Sequence, residues 1–347
     1  MPPHTKLPRP AGHINTTYSP MSPANWGIVA AQFHVFVYPN VRVALQALLQ
    51  SATTLHAQRL EAGAAGLFSD FIYYRGQTEI THRLLPTRLR GPRREPQPRQ
   101  RWAVPGGPPD KDPRDHFGDW YEDIEPMREI EDSVSELSAD ELKRRDELEA
   151  ADVVRASQLS SIARLGDFQK RAAVRHYSHA PSSILDLTTN PEVAAFFATG
   201  GGAKPPVLGR IGILWAIDLN FLAGLFKFEI TSIPDGIKIQ MRETREDWGA
   251  NKKMFEDQGI LPACLELISI ALPFRRPLAQ HARFLSLTGE NGERLPLATE
   301  MTWWSIIERR AYMCAFIQDG KTYAESSHNI TEDTLLPKGD KLATTLA

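Results

Sequence analysis

The segment ILDLTTNPEVAAFFATGGG (184–202) limits the possible folds more than any other stretch of this chain. Its first four residues are branched or apolar around one acid and read as a short strand. Asn190 then offers a side-chain oxygen as an N-cap, and Pro191 sits at the first helical position, where its missing N–H is not needed. The apolar run that follows predicts a buried helix over 191–199, closed by three glycines. Because those glycines follow the helix, they are expected to form a C-cap and turn, not a phosphate cradle. Asp186, between Leu185 and Leu187, is expected to be a structural, partly buried carboxylate held by backbone N–H groups or an arginine, with a catalytic acid as the rival reading.

Other elements follow from the same local rules. Asn40 is placed to cap a helix that puts Leu45, Leu48, Leu49, Ala52 and Leu55 on one face. Ser138 and Glu141 form a capping-box pattern at the start of a long polar helix. FIYYR (71–75) predicts a strand ending at Gly76, and RIGILWAID (210–218) a strand buried on both faces. LELISIAL (265–272), RFLSL (283–287) and AYMCAFI (311–317) are further strand candidates. Strands outnumber helices in the second half, which fits an α+β domain better than a regular βαβ array.

Proline marks what is peripheral. Six prolines fall in residues 1–24 and seven in 91–115, where aliphatic residues are scarce. Such segments bury too little surface to offset their ordering entropy. Residues 1–40 are therefore expected to be an N-terminal arm, and about 91–135 an insert in a domain spanning 41–347. Charge is segregated near the insert: residues 88–101 carry six arginines, and 119–149 carry thirteen acidic against four basic residues. Two solvated faces or a self-pairing insert are favoured over a nucleic-acid tract, and the net charge of −2 argues against a globally basic nucleic-acid binder. The chain has no run of 18 apolar residues and its start no apolar signal core, so neither a membrane helix nor a secretory signal is expected. Cys264 and Cys314 have no metal-ligand spacing, and a cytoplasmic, reducing setting is the default. His176 and His179 lack a third ligand of suitable spacing, so no metal is expected.

Four motifs in order resemble the FRG domain family. YRGQTEITHRLLPTRLR (74–90) is similar to the opening motif, with Tyr-Arg-Gly for the usual Phe-Arg-Gly and His82 near the position of a Trp. RHYSHAPSSILDLTTNPEVAAFFA (175–198) resembles the central motif, RRPLAQHARFLSL (275–287) the third, and ITEDTLLPKGDKLATTL (330–346) the closing segment. The chain departs from the pattern at Arg175, Ser178, Ser182-Ser183, Leu187 and His281-Ala282. The resemblance implies a single FRG-type domain. A weaker, fold-level likeness to ADP-ribosyltransferases implies a split β-sheet core and NAD as substrate, in a transferase or NAD glycohydrolase of toxin or defence type.

On that likeness Arg75 would clamp the pyrophosphate, with Gly76 allowing close approach of the ligand. Tyr177 would stack on nicotinamide, Thr188 and Thr189 would brace its slot, and Arg276 would add to cofactor binding. Gln280, in the late polar position, would orient a ribose hydroxyl as a catalytic group together with His176 and Thr188. Gln280 is neutral where a carboxylate is usual, so it can neither take a proton nor oppose a developing cation by charge. The alternatives are a non-catalytic nucleotide or nucleic-acid binding module and a protein-interaction domain.

Overall fold

A computed structural model describes residues 37–61, 72–78, 84–90, 137–178, 180–201, 208–209, 211–219, 226–233, 236–244, 263–268, 274–323 and 330–336. The insert at 91–135 and most of the N-terminal arm lie outside the described residues, as does His179. The arm's last residues do not: Val37–Tyr38 form a strand and Asn40 caps a helix.

The chain is mixed α+β. Its strands are β1 (Val37–Tyr38), β2 (Ile72–Gln77), β3 (Leu185–Thr188), β4 (Ile211–Asp218), β5 (Phe226–Ile233), β6 (Gly236–Thr244), β7 (Cys264–Ile268), β8 (Ala282–Thr288) and β9 (Tyr312–Ile317). The helices are α1 (Val41–Glu61), α2 (Ala139–Ser157), α3 (Ser160–Ala163), α4 (Asp167–Tyr177), α5 (Pro191–Ala198), α6 (Arg275–Ala279), α7 (Leu297–Arg310) and α8 (Glu332–Leu335). The strands join in the order β1-β9-β4-β2-β3-β8-β7-β6-β5. All neighbours are antiparallel except β1 and β9.

The strands form one open sheet. The ladder is continuous, but β2 and β3 share one register pair, Tyr74↔Thr188, whereas β2 and β4 share six and β3 and β8 share four. Beyond that pair a side chain spans the gap: Arg75 Nη1 donates to the Asp186 carbonyl oxygen.

The two faces of the sheet are packed differently. On one, Tyr73, Leu187, Ile213, Trp215, Ile217, Leu265 and Leu285 form a single cluster with Trp303, Trp304 and Ile307 of α7. The other face carries two separate clusters. Val193 and Phe196 of α5 pack with Leu45 and Leu48 of α1 on Tyr74, Leu214 and Ala216. Ala172, Ala173 and Val174 of α4 pack with Phe274 on Ile268 and Phe284. Alternate residues of β4 enter opposite clusters, as a strand buried on both faces requires.

The strongest local signals are met. The Asn190 side-chain oxygen accepts from Glu192 N–H at 3.0 Å, and Pro191 opens α5. The helix closes in a Schellman motif: Gly200 N–H donates to Phe197 O, Gly201 N–H to Phe196 O, and Gly200 has φ +80°. Asn40 Oδ1 accepts from the amides of Arg42 and Val43. Ser138 Oγ accepts from Glu141 N–H, but the Glu141 carboxylate turns to Arg144 and Arg145. The basic and acidic segments do meet where both are described: buried Arg88 pairs with Asp146 and, at 2.7 Å, with Glu300.

Candidate functional site

A cleft of about 470 Å³ opens between the two clusters of the divided face, at the thin β2–β3 junction. That volume is ordinary for a small-molecule site. Strand β2 supplies Arg75 and Gly76; the end of α4 supplies Arg175, His176 and Tyr177; β3 supplies Asp186 and Thr188. Residues Arg276 and Gln280 close it from α6 and the residue after it, with Arg90 also at the wall. Thr189 is not part of the lining; its N–H donates to His281 O at 3.2 Å.

The structure thus brings together seven of the eight residues singled out from the sequence and shows what they touch. Gly76 is required by the fold: a Cβ there would lie 1.8 Å from Ala194 O and 2.6 Å from Ala198 N. Its missing side chain makes room for the backbone of α5, not for a ligand. Gln280 is buried and its amide donates to Leu335 O at 2.8 Å, tying α8 to the domain. One of its two amide N–H groups is thus used within the protein. Thr188 Oγ1 donates to Gln280 O at 2.7 Å and accepts from Asn190 N–H at 3.0 Å, so this hydroxyl braces the strand-to-helix corner.

Tyr177 does not present a bare face for stacking. The Arg276 guanidinium lies over its ring, 5.1 Å from the centroid, and Phe274 packs on it at 6.0 Å. His176 packs edge-on against Tyr177 and Phe284, each at 5.6 Å, and its carbonyl accepts from Arg276 Nη1 at 3.4 Å. These contacts favour a packed aromatic wall over an exposed acid–base histidine. Among the described residues, no group of three His, Cys, Asp or Glu side chains could hold a metal ion. No helix among them is long and apolar enough to cross a membrane.

Charge is the cleft's clearest property. Four arginines, Arg75, Arg90, Arg175 and Arg276, line it against one carboxylate, Asp186. Arg175 Nη2 pairs with Asp186 Oδ2 at 3.1 Å. Burial pulls the Arg75 guanidinium down to about 10; the Asp186 charge opposes that shift and the Arg175 charge adds to it. Arg75 remains charged at neutral pH, and its Nε and the Arg175 Nε are buried with no protein acceptor. A buried donor without an acceptor is costly, and on a charged group more so.

Sequence reasoning gave Arg175 and Asp186 no binding role: the first appeared as a departure from a motif, beside the expected pocket, and the second as a structural acid with a catalytic acid as its rival. The departures themselves have structural partners: Ser178 Oγ donates to Asp152, Ser183 Oγ donates to Glu149, and Leu187 and Ala282 are buried in the core. Comparison of the chain with models of known protein families, with curated proteins and with solved structures finds no match in any of the three.

Proposed function

We propose that this chain is an FRG-type domain whose cleft binds a phosphate-bearing dinucleotide of the NAD class. The observation that carries the reading is that four arginines and one carboxylate line the same cleft of about 470 Å³. Guanidinium groups match phosphate oxygens in geometry and keep their charge when buried better than ammonium groups do. The position of the cleft between Arg75 on β2 and Thr188 on β3 supports the transferase-type layout.

Cleavage of the nicotinamide–ribose bond would pass through a cationic, oxocarbenium-like state. The cleft's cationic lining does not favour such a state, and Gln280 brings no charge to oppose it. That balance supports binding without fast turnover as the second reading. Isothermal titration of NAD into the wild type and Arg75→Lys, followed by a nicotinamide-release assay, tests both. Saturable binding that weakens in the variant supports the site. Release of nicotinamide by the wild type supports a transferase or glycohydrolase, and binding with no release supports the non-catalytic reading. Absence of binding to folded wild type removes the nucleotide proposal and leaves an interaction domain ahead.

A further inference from the structure

We infer that Asp186 is the specificity-determining group of the cleft, requiring a ligand that carries a hydroxyl donor beside its phosphate. The inference rests on the reading of the cleft as a nucleotide site. Two oxygens of one carboxylate have different fates here. Oδ2 is held by Arg175, while Oδ1 is buried at the cleft with no hydrogen-bond partner. The Asp186 backbone carbonyl is also fixed, by Arg75. The strand, its carbonyl and half of its carboxylate are therefore held in place by two arginines whose own Nε–H groups lack acceptors.

Those unsatisfied atoms describe a ligand. Two buried N–H donors on cationic groups call for an anion with several acceptor oxygens, which a phosphate supplies. A buried carboxylate oxygen calls for a donor and repels a bare anion. A free phosphate or pyrophosphate at neutral pH satisfies the arginines but places its charge against Oδ1. A ribosyl phosphate meets both demands, since the hydroxyls of the ribose stand a few bonds from the phosphate ester. The arrangement thus favours nucleotides over inorganic polyphosphates and gives Asp186 a role beyond holding the fold together.

The substitution Asp186→Asn inverts the group that faces the ligand. The Arg175 donor requires an oxygen on its side, so the new amide would turn its oxygen to Arg175 and its NH2 to the cleft. The test compares ADP with 2′,3′-dideoxy-ADP, which share charge, base and phosphates and differ only in the ribose hydroxyls. Wild type should bind ADP roughly tenfold to a hundredfold tighter than the dideoxy probe, the range of a hydrogen bond to a charged acceptor. In Asp186→Asn the ratio should fall to the few-fold of a neutral hydrogen bond, because a ribose hydroxyl can still accept from the new NH2, and inorganic pyrophosphate should bind more tightly than it does to wild type.

Equal affinity of wild type for the two nucleotides would overturn the role of Asp186 while leaving the phosphate site standing. A ratio that persists unchanged in folded Asp186→Asn would overturn it as well. Failure of wild type to bind any of the three probes would overturn the cleft reading and this inference together. The nucleotide comparison on wild type needs no variant, so it decides the matter even if Asp186→Asn fails to fold.

Discussion

The two faces of the sheet use the same kinds of side chain to different ends. One face is covered by a single apolar cluster that runs under α7 from β4 to β7. The other is divided into a cluster under α1 and α5 and another under α4, with the arginine-lined cleft between them. On the divided face the apolar contacts stop where β2 and β3 reach their one shared pair, and polar side chains take over the link. The molecule keeps its site by concentrating its packing elsewhere.

That contrast can be broken most severely on the continuous side. Trp304 is fully buried there, and Trp304→Ala should cost about 3–5 kcal/mol. Urea unfolding followed by circular dichroism should show one cooperative transition at lower midpoint. Two transitions would mean that the divided face unfolds separately and that the continuous cluster does not unite the sheet.

On the divided side, Gly76→Ala places a Cβ against the α5 backbone, which cannot give as a flexible side chain would. The expected loss is about 3 kcal/mol, the upper range for overpacking. Thermal unfolding at unchanged midpoint would contradict the close approach of β2 to α5.

The arginines sharpen the comparison through ligand binding. Arg75→Lys should weaken NAD by about 1–3 kcal/mol, because an ammonium keeps the charge and loses the fork. The pH dependence has a definite sign. A lowered Arg75 value means that the folded state holds its proton less firmly than the unfolded one. Burying the charge therefore destabilises the fold at neutral pH, and the penalty is relieved as pH rises through about 10. Anion binding should run the other way, steady on this account below pH 9 and falling above about 10. Affinity for sulfate, which does not titrate in this range, measured from pH 8 to 11 checks this, and a flat profile would mean that Arg75 keeps its charge through pH 11.

Smaller effects belong to the corners of the cleft. Asn190→Ala removes the cap of α5 and should cost about 0.5–2 kcal/mol by chemical denaturation. His281, between α6 and β8, has φ +49°, in the left-handed region that favours glycine. His281→Gly should therefore leave stability unchanged or raise it by up to about 1 kcal/mol. A clear loss would show that the imidazole contributes packing that outweighs the strain.

Much of the local structure was legible before the fold was known. The Asn190 and Asn40 caps, the Pro191 start, the Gly200 turn and the double-sided burial of β4 depend on residues within a few positions of one another. The β5–β6 hairpin and α4 and α7 were not read. FKFEITSI (226–233) alternates as a strand should, yet its signal is short and lies among weaker segments. The gathering of Arg75, His176, Tyr177, Thr188, Arg276 and Gln280 at one cleft was expected from motif resemblance, not from periodicity or spacing.

What the sequence determined by itself was the identity and local geometry of these groups: a cap must accept, a proline must not donate, and an arginine carries charge. Tertiary structure alone decided how those groups are used. Gly76 is needed by a helix 118 residues further on, at Ala194. The amide of Gln280 is taken by Leu335, and Arg175 meets Asp186 across a helix-to-strand turn. The physical reason is that a hydrogen bond or a charge pair is set by distance in space. A residue's chemistry is written in the chain, but the partner that consumes it or leaves it free is chosen only when the strands find their neighbours.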